Sequence, residues 1–455
     1  MPSSHEKSPL VDDVGSDGSR IVGTPWLGLC LPLILMAVII FLSPNFRQSE
    51  SGAMRDKPLG GDLVQDWVGG YIAGSAKQED RDRLYDLTFV KAIQHDSSIV
   101  GFSWPKGDYF PMVYPPFYYQ AMQPIALVSF PLAIKIWGVI CALAVSLAAF
   151  LLFRFFEPSR GWVGIGVLAA LFFFPLITCL TMGQKSTLLL LILTATFVLL
   201  HHNKPLPAGL LFGLIAFKPH LGIVIGLTML LKRQWAFAVG AILSVGLMVG
   251  VSFWHNPSVW RDYVSVVSGM NDYVESGGYR LTQSHSLWGA MQLTFAEKFS
   301  SSVVKVIAGA VSIAVLVLLW RIMRGTVATS SQRFACQFSA MVLVTVMLSP
   351  HFYTYDLTIL LLQMLLIATS LPAASRAIGG GVDGRVGTHK ICLQLLGFLL
   401  VALFVGAGVF EKIASQIGFQ FSLVVMIGVL FTLANVLPVS SCSQPSQAPL
   451  ARGDF

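Results

Sequence analysis

The sequence predicts an all-α polytopic membrane protein, a bundle of about twelve transmembrane helices with two long outer loops. Three observations carry that prediction. Of the 455 residues, 55% are hydrophobic and only 12% are charged, with a mean hydropathy of +0.70. A soluble globular chain carries about 25% charged residues, so roughly half of the expected charge is missing. Apolar runs recur along the whole chain at lengths suited to a bilayer core of roughly 30 Å. The net charge of +7 also falls on one side of the resulting layout. Disorder, a collagen-like repeat and a soluble multidomain chain are excluded by the same figures.

The runs lie near 24–44, 131–153, 161–180, 186–201, 206–217, 219–231, 235–253, 302–320, 335–349, 357–372, 391–410 and 419–438. The first follows a polar, acidic start unlike a cleavable signal, so it should remain as an anchor. The runs 206–217 and 219–231 are too short to cross fully and read as two helices meeting at Lys218-Pro219-His220. An unbroken helix there would set Lys232 and Arg233 on the opposite side from Lys204. Residues 1–23 form a cytoplasmic tail, 24–440 the transmembrane domain, and 441–455 a second cytoplasmic tail.

Charge tests the layout. With the N-terminus inside, the inner segments hold fourteen Lys and Arg against seven Asp and Glu, leaving sixteen of each elsewhere. All the net charge is then cytoplasmic, as the positive-inside rule requires. In that light the basic pI of about 9.1 indicates membrane orientation rather than a nucleic-acid partner.

Two outer segments are too long to be turns. Residues 45–130 carry ten acids and the run Tyr114-Pro115-Pro116, with an amphipathic stretch at 117–130 suited to the interface. Residues 254–300 carry Trp254, Trp260, Tyr263, Tyr273, Tyr279 and Trp288, which suit a membrane surface. The inner segment 374–390 is Gly-rich, follows no strand and opens no helix. It reads as a flexible linker, not a nucleotide loop. The six cysteines avoid the long polar segments, so neither a disulfide framework nor a zinc site is expected. No metal or cofactor is expected either.

Polar groups at membrane depth are costly and invite a functional reading. Four clusters stand out, all placed by the layout at the outer face. Asp62 and Asp66 are four apart, so a helix would carry both carboxylates on one face. A carboxylate beside apolar surface can serve as general base; a solvated acidic loop is the plainer alternative. Gln184 and Lys185 follow Gly183 between two apolar runs, where an amide and an ammonium suit phosphate or sugar hydroxyls. Lys218 and His220 flank Pro219, and the lysine must be paired, hydrated or snorkelling. A lipid-borne phosphate is a natural partner for it. The last cluster is Ser349-Pro350-His351-Phe352-Tyr353-Thr354-Tyr355-Asp356, in which Asp356 could orient His351 or cap the next helix.

Taken in order, these motifs are a recognisable set. An early Asp-aromatic segment with a later Tyr-Asp, then Tyr-Pro-Pro, Gly-Gln-x, Lys-Pro-His and Ser-Pro-His…Tyr-Asp-Leu resembles glycosyltransferase family 87. The resemblance runs from about residue 20 to 440. It implies a GT-C-like bundle in the cell inner (plasma) membrane, with both termini cytoplasmic and the active site facing the periplasm. It implies transfer of a hexose, mannose in the family's bacterial members, from a polyprenyl-phosphate-sugar donor to a lipid or glycan acceptor, with inversion at the anomeric carbon. The family's luminal base falls on Asp66, with Asp62 the second choice. Lys218, His220 and Lys185 would meet the donor phosphate. Gln184, Tyr114, His351, Tyr355 and Asp356 would bind substrate. The chain departs from the family's pattern in two places: Lys185 stands where Asn is usual, and Trp67 replaces a smaller aromatic. A lipid-sugar flippase, which needs no luminal base, is the competing class. A ligase joining preassembled lipid-linked glycans is a third.

Overall fold

The computed structural model describes residues 60–101, 109–156, 172–269, 281–378 and 383–437. The expected anchor at 24–44 and the C-terminal tail lie outside the described residues, as does much of 161–180. Among the described residues the protein is all-helical, with twenty α-helical segments and four 3-10 turns. The sole extended pairing among them is an isolated antiparallel bridge between Ser284 and Tyr353.

Among the described residues, three helices are long and apolar enough to cross a membrane: Phe130–Leu152, Trp235–His255 and Ser301–Met323. The helix bearing the first continues to Phe156 and is named α1. The other two are α2 (Trp235–His255) and α3 (Ser301–Met323). Their outward residues are apolar: Ile242 and Leu247 on α2 are each 69% exposed, and Val306 on α3 is 71% exposed. Apolar surface on that scale is costly in water and natural in lipid. The chain reads as a membrane protein.

The interior is built differently. In the helix Gln332–Leu348 (α4) every residue from Phe334 to Met347 is buried, so other segments enclose this helix on all sides. The helix Ser186–His201 packs on α1 and is only sixteen residues long. At 1.5 Å per residue it spans roughly 24 Å, less than a full hydrocarbon core. The helix Pro205–Gly213 crosses α2 in very close contact. A Cβ on Gly209 would lie 2.0 Å from the Phe237 carbonyl oxygen, and one on Gly240 2.3 Å from that of Leu206. Small residues at such a crossing let backbones approach where lipid offers no hydrophobic drive.

Two expected spans differ from straight helices. The run 206–217 ends in a 3-10 turn, Leu214–Phe217, and 219–231 opens with another, Pro219–Leu221, before the helix Ile223–Leu231. Pro219 lacks the N–H that a continuing helix would need, so the break expected at this point is present. The run 391–410 is the end of a helix, Asp383–Gly406, that turns through 78° into a short one, Phe410–Ile417. The preceding helix extends to Ile378, so helix occupies much of the expected 374–390 linker. The amphipathic stretch 117–130 is divided into Pro116–Ala121 and Gln123–Ala126, with α1 starting at Phe130.

Candidate active site

A short helix, Leu63–Ala73, carries the two early aspartates, Asp62 at its N-cap position and Asp66 in its first turn. Its start is tied to the end of the helix Phe174–Met182. The Gly60 N–H donates to the Thr181 carbonyl at 2.6 Å, and the Asp62 N–H to that of Met182 at 3.2 Å. Trp67 fixes the other side, its indole N–H donating to the Val128 carbonyl at 3.0 Å.

The partner turn is Gly183-Gln184-Lys185, between Phe174–Met182 and Ser186–His201. Gly183 adopts φ +74°, and the Gln184 N–H reaches back to the Cys179 carbonyl at 2.9 Å. A left-handed glycine with that back-bond is a common helix stop. A Cβ at this position would also lie 2.9 Å from the Gly60 carbonyl oxygen. Glycine therefore lets the two segments touch.

That contact sets the polar side chains against one another. Gln184 Nε2 donates to Asp62 Oδ2 at 2.8 Å. Lys185 Nζ donates to both oxygens of Asp66, at 2.9 and 2.8 Å, with the side chains 1% and 0% exposed. The same ammonium lies 4.1 Å from the centre of the Tyr114 ring and 5.6 Å from that of Tyr118. Cation–π attraction of this kind strengthens where water is excluded. Burial pushes the Asp66 carboxyl above its ordinary value, and the Lys185 charge works against that push.

A second ion pair lies beside the first. Lys218, held at the break between the two short helices, donates to Asp356 Oδ1 at 2.7 Å. Ser186 Oγ donates to the same oxygen at 2.6 Å. Lys218 is 5% exposed, so it does not snorkel outward. Asp356 does not stand at a helix N-cap, which here is Tyr353. It sits inside the 3-10 turn Thr354–Ile359 and faces Lys218 and Ser186. The Tyr355 ring centre is 5.5 Å from Lys218 Nζ.

The remaining expected residues are close by. Tyr114 accepts through its carbonyl from the Tyr85 hydroxyl at 2.7 Å, and its N–H donates to Tyr119 Oη at 3.2 Å. His220 and His351 are both half-buried, and each lies within electrostatic reach of the other. Asp86, by contrast, caps the helix Leu87–His95 and pairs with Arg83, which is structural work. Among the described residues no group of three or more His, Cys, Asp or Glu side chains could hold a metal ion.

Sequence reasoning missed two features. Ser186 supplies the second bond to Asp356, but a serine at a helix start has an ordinary explanation. His285 is fully buried, with Nδ1 2.8 Å from Ser422 Oγ and Nε2 3.1 Å from Thr354 Oγ1. Flanked by Ser284 and Ser286, it carries no local signal that separates it from an ordinary polar loop.

The assembled centre thus contains two carboxylate–ammonium pairs, a partly exposed carboxylate at Asp62, and a wall of tyrosines. Such a site offers bases, charge for an anion and hydrogen bonds for hydroxyls. A family model for glycosyltransferase family 87 matches residues 112–350, a span that takes in Tyr114, Gln184, Lys185, Lys218, His220 and His285. No curated protein and no solved structure matches the chain.

Proposed function

The chain belongs to glycosyltransferase family 87, and on that premise we propose that it transfers a hexose, mannose by preference, from a polyprenyl-phosphate carrier to a lipid or glycan acceptor. The reaction takes place at the periplasmic face of the inner membrane. The observation that carries this reading is the pairing of two buried lysines with two buried aspartates, Lys185 with Asp66 and Lys218 with Asp356. Such a centre can admit a donor phosphate because each ammonium has a counter-ion to exchange.

Asp66 is the base. In the resting centre both its oxygens are taken by Lys185, so the donor phosphate must draw that ammonium away. Asp66 then accepts the proton of the acceptor hydroxyl as its oxygen attacks the anomeric carbon. The bond from that carbon to the phosphate oxygen breaks, and the electron pair leaves on the phosphate. Lys218 and Lys185 oppose the extra negative charge on the departing polyprenyl phosphate. Base catalysis of this kind gives about 10²–10⁴-fold, and charge stabilisation is often the larger contribution. Attack opposite the leaving group inverts the anomer.

Asp62 supports a second assignment of the base. It is partly exposed and accepts a hydrogen bond on Oδ2 from Gln184 Nε2, one residue before Lys185. Radiolabelled mannose transfer from polyprenyl-phosphate-mannose into membrane lipids distinguishes the two. Loss in Asp66→Asn with transfer retained in Asp62→Asn assigns Asp66, and the reverse assigns Asp62. Vesicle flipping of the donor with no transfer by the wild type would make the protein a flippase instead.

A further inference from the structure

Beside the two ion pairs, a second polar cluster joins three segments, one of them the 3-10 turn that bears Asp356. His285 stitches them together. Its ring nitrogens meet Ser422 and Thr354, and its backbone N–H donates to the Phe352 carbonyl at 2.8 Å. Gln420 adds a bond from Nε2 to the Ser284 carbonyl at 2.9 Å. The result is a fixed, buried floor.

Four partly exposed side chains stand on that floor: Gln283, Glu411, Tyr353 and Tyr355. Gln283 Nε2 donates to Glu411 Oε1 at 2.7 Å, and Thr354 Oγ1 to Glu411 Oε2 at 3.3 Å. A carboxylate has about four acceptor positions, so Glu411 keeps acceptor capacity on both oxygens, and the Gln283 carbonyl adds more. The Tyr353 and Tyr355 rings lie 5.6 Å apart and are inclined by 34°. A carboxylate and an amide locked side by side suit neighbouring hydroxyls. Paired aromatic rings suit the apolar face of a pyranose. Tyr355 also faces the ion-paired centre, near Lys218 and within electrostatic reach of Asp62 and Tyr114.

We infer that Gln283, Glu411, Tyr353 and Tyr355 form a pyranoside-binding subsite that holds the acceptor's sugar next to the reacting centre. The assignment of this sugar to the acceptor rests on the transferase reading above. Lys185 and Lys218 mark where the donor phosphate goes, and Tyr355, paired with Tyr353, near Lys218 and within electrostatic reach of Asp62, joins the subsite to that centre.

The test is saturation-transfer NMR on the full-length chain in lipid nanodiscs, without donor. The probes are the methyl α-pyranosides of mannose, glucose and galactose. At least one should bind the wild type, and Glu411→Ala and Tyr353→Leu should each weaken it at least tenfold with an unchanged thermal midpoint. If one variant fails to fold, Gln283→Leu takes its place. Binding of none of the three, or wild-type binding by the well-folded variants, overturns the subsite. Displacement of the bound glycoside by polyprenyl-phosphate-mannose gives the pocket to the donor sugar and overturns the acceptor assignment. Release of polyprenyl phosphate is measured separately. Release without glycoside binding removes the subsite and leaves the transferase reading intact, whereas binding without release supports the subsite and removes the proposed donor.

Discussion

Lys185 bonds both oxygens of Asp66 across 119 positions of sequence, in a pocket that leaves neither side chain in contact with solvent. The pair leaves the resting carboxylate inaccessible. Its lysine adds a fixed charge at the point where proton transfer is proposed.

That addition predicts a shift in pH dependence. Burial raises the Asp66 carboxyl and Lys185 lowers it. If Asp66 is the base, the acid limb of kcat/KM lies above about pH 4, the ordinary carboxylate value. Lys185→Gln removes the opposing charge, so the limb should move to higher pH, with activity lost sooner on acidification. A pH profile of both proteins checks the sign. An unmoved limb would remove Asp66 from the base role.

The second pair predicts a stability effect. Lys218→Ala leaves Asp356 buried without its counter-charge, a change that typically costs about 3–5 kcal/mol. Adding Asp356→Asn removes the orphaned charge and should recover much of that loss. Thermal unfolding in detergent of the two single variants and the double variant gives the coupling directly. Additive losses would mean that the two residues do not interact.

Gly183→Ala should destabilise by about 1–3 kcal/mol, because the left-handed backbone is strained for any other residue. Steric contact with Gly60 adds to this. The same change spreads the two segments apart and should weaken transfer beyond what the loss of folded protein explains. Specific activity per folded molecule is the measurement that separates the effects.

Tyr114 separates ring from hydroxyl. Tyr114→Phe keeps a ring over Lys185 and should be nearly neutral in stability. Tyr114→Leu removes the cation–π contact and should cost about 0.5–2 kcal/mol. Equal melting temperatures for the two variants would show that the ring does not stabilise the ammonium.

Much of the fold was legible because a bilayer writes simple rules into sequence. The starts of α1 and α2, and the helix break at Pro219, follow from run length and a missing N–H. The 78° turn after Gly406 was not legible, since the apolar run continues across it and only packing decides where it bends. The site was legible by residue and not by partner. Lys185, Lys218, Asp66 and Asp356 each interrupt apolar surroundings and so stand out singly. No local period encodes which carboxylate meets which ammonium, and the alternatives considered for Asp356 were both local. His285 escaped for the opposite reason: its neighbours at Ser284 and Ser286 make the segment look like an ordinary polar loop.

The distance between partners also has a consequence for how the chain is made. Asp66 leaves the ribosome 119 residues before Lys185, and Lys218 precedes Asp356 by 138. Until each late partner arrives, a lone charge must stay wet or be held by the insertion machinery, because hydrocarbon will not accept it. A chain stalled after the seventh expected apolar run would hold both members of one charge pair and only the lysine of the other, so the centre is complete only once the segment bearing Asp356 has been made.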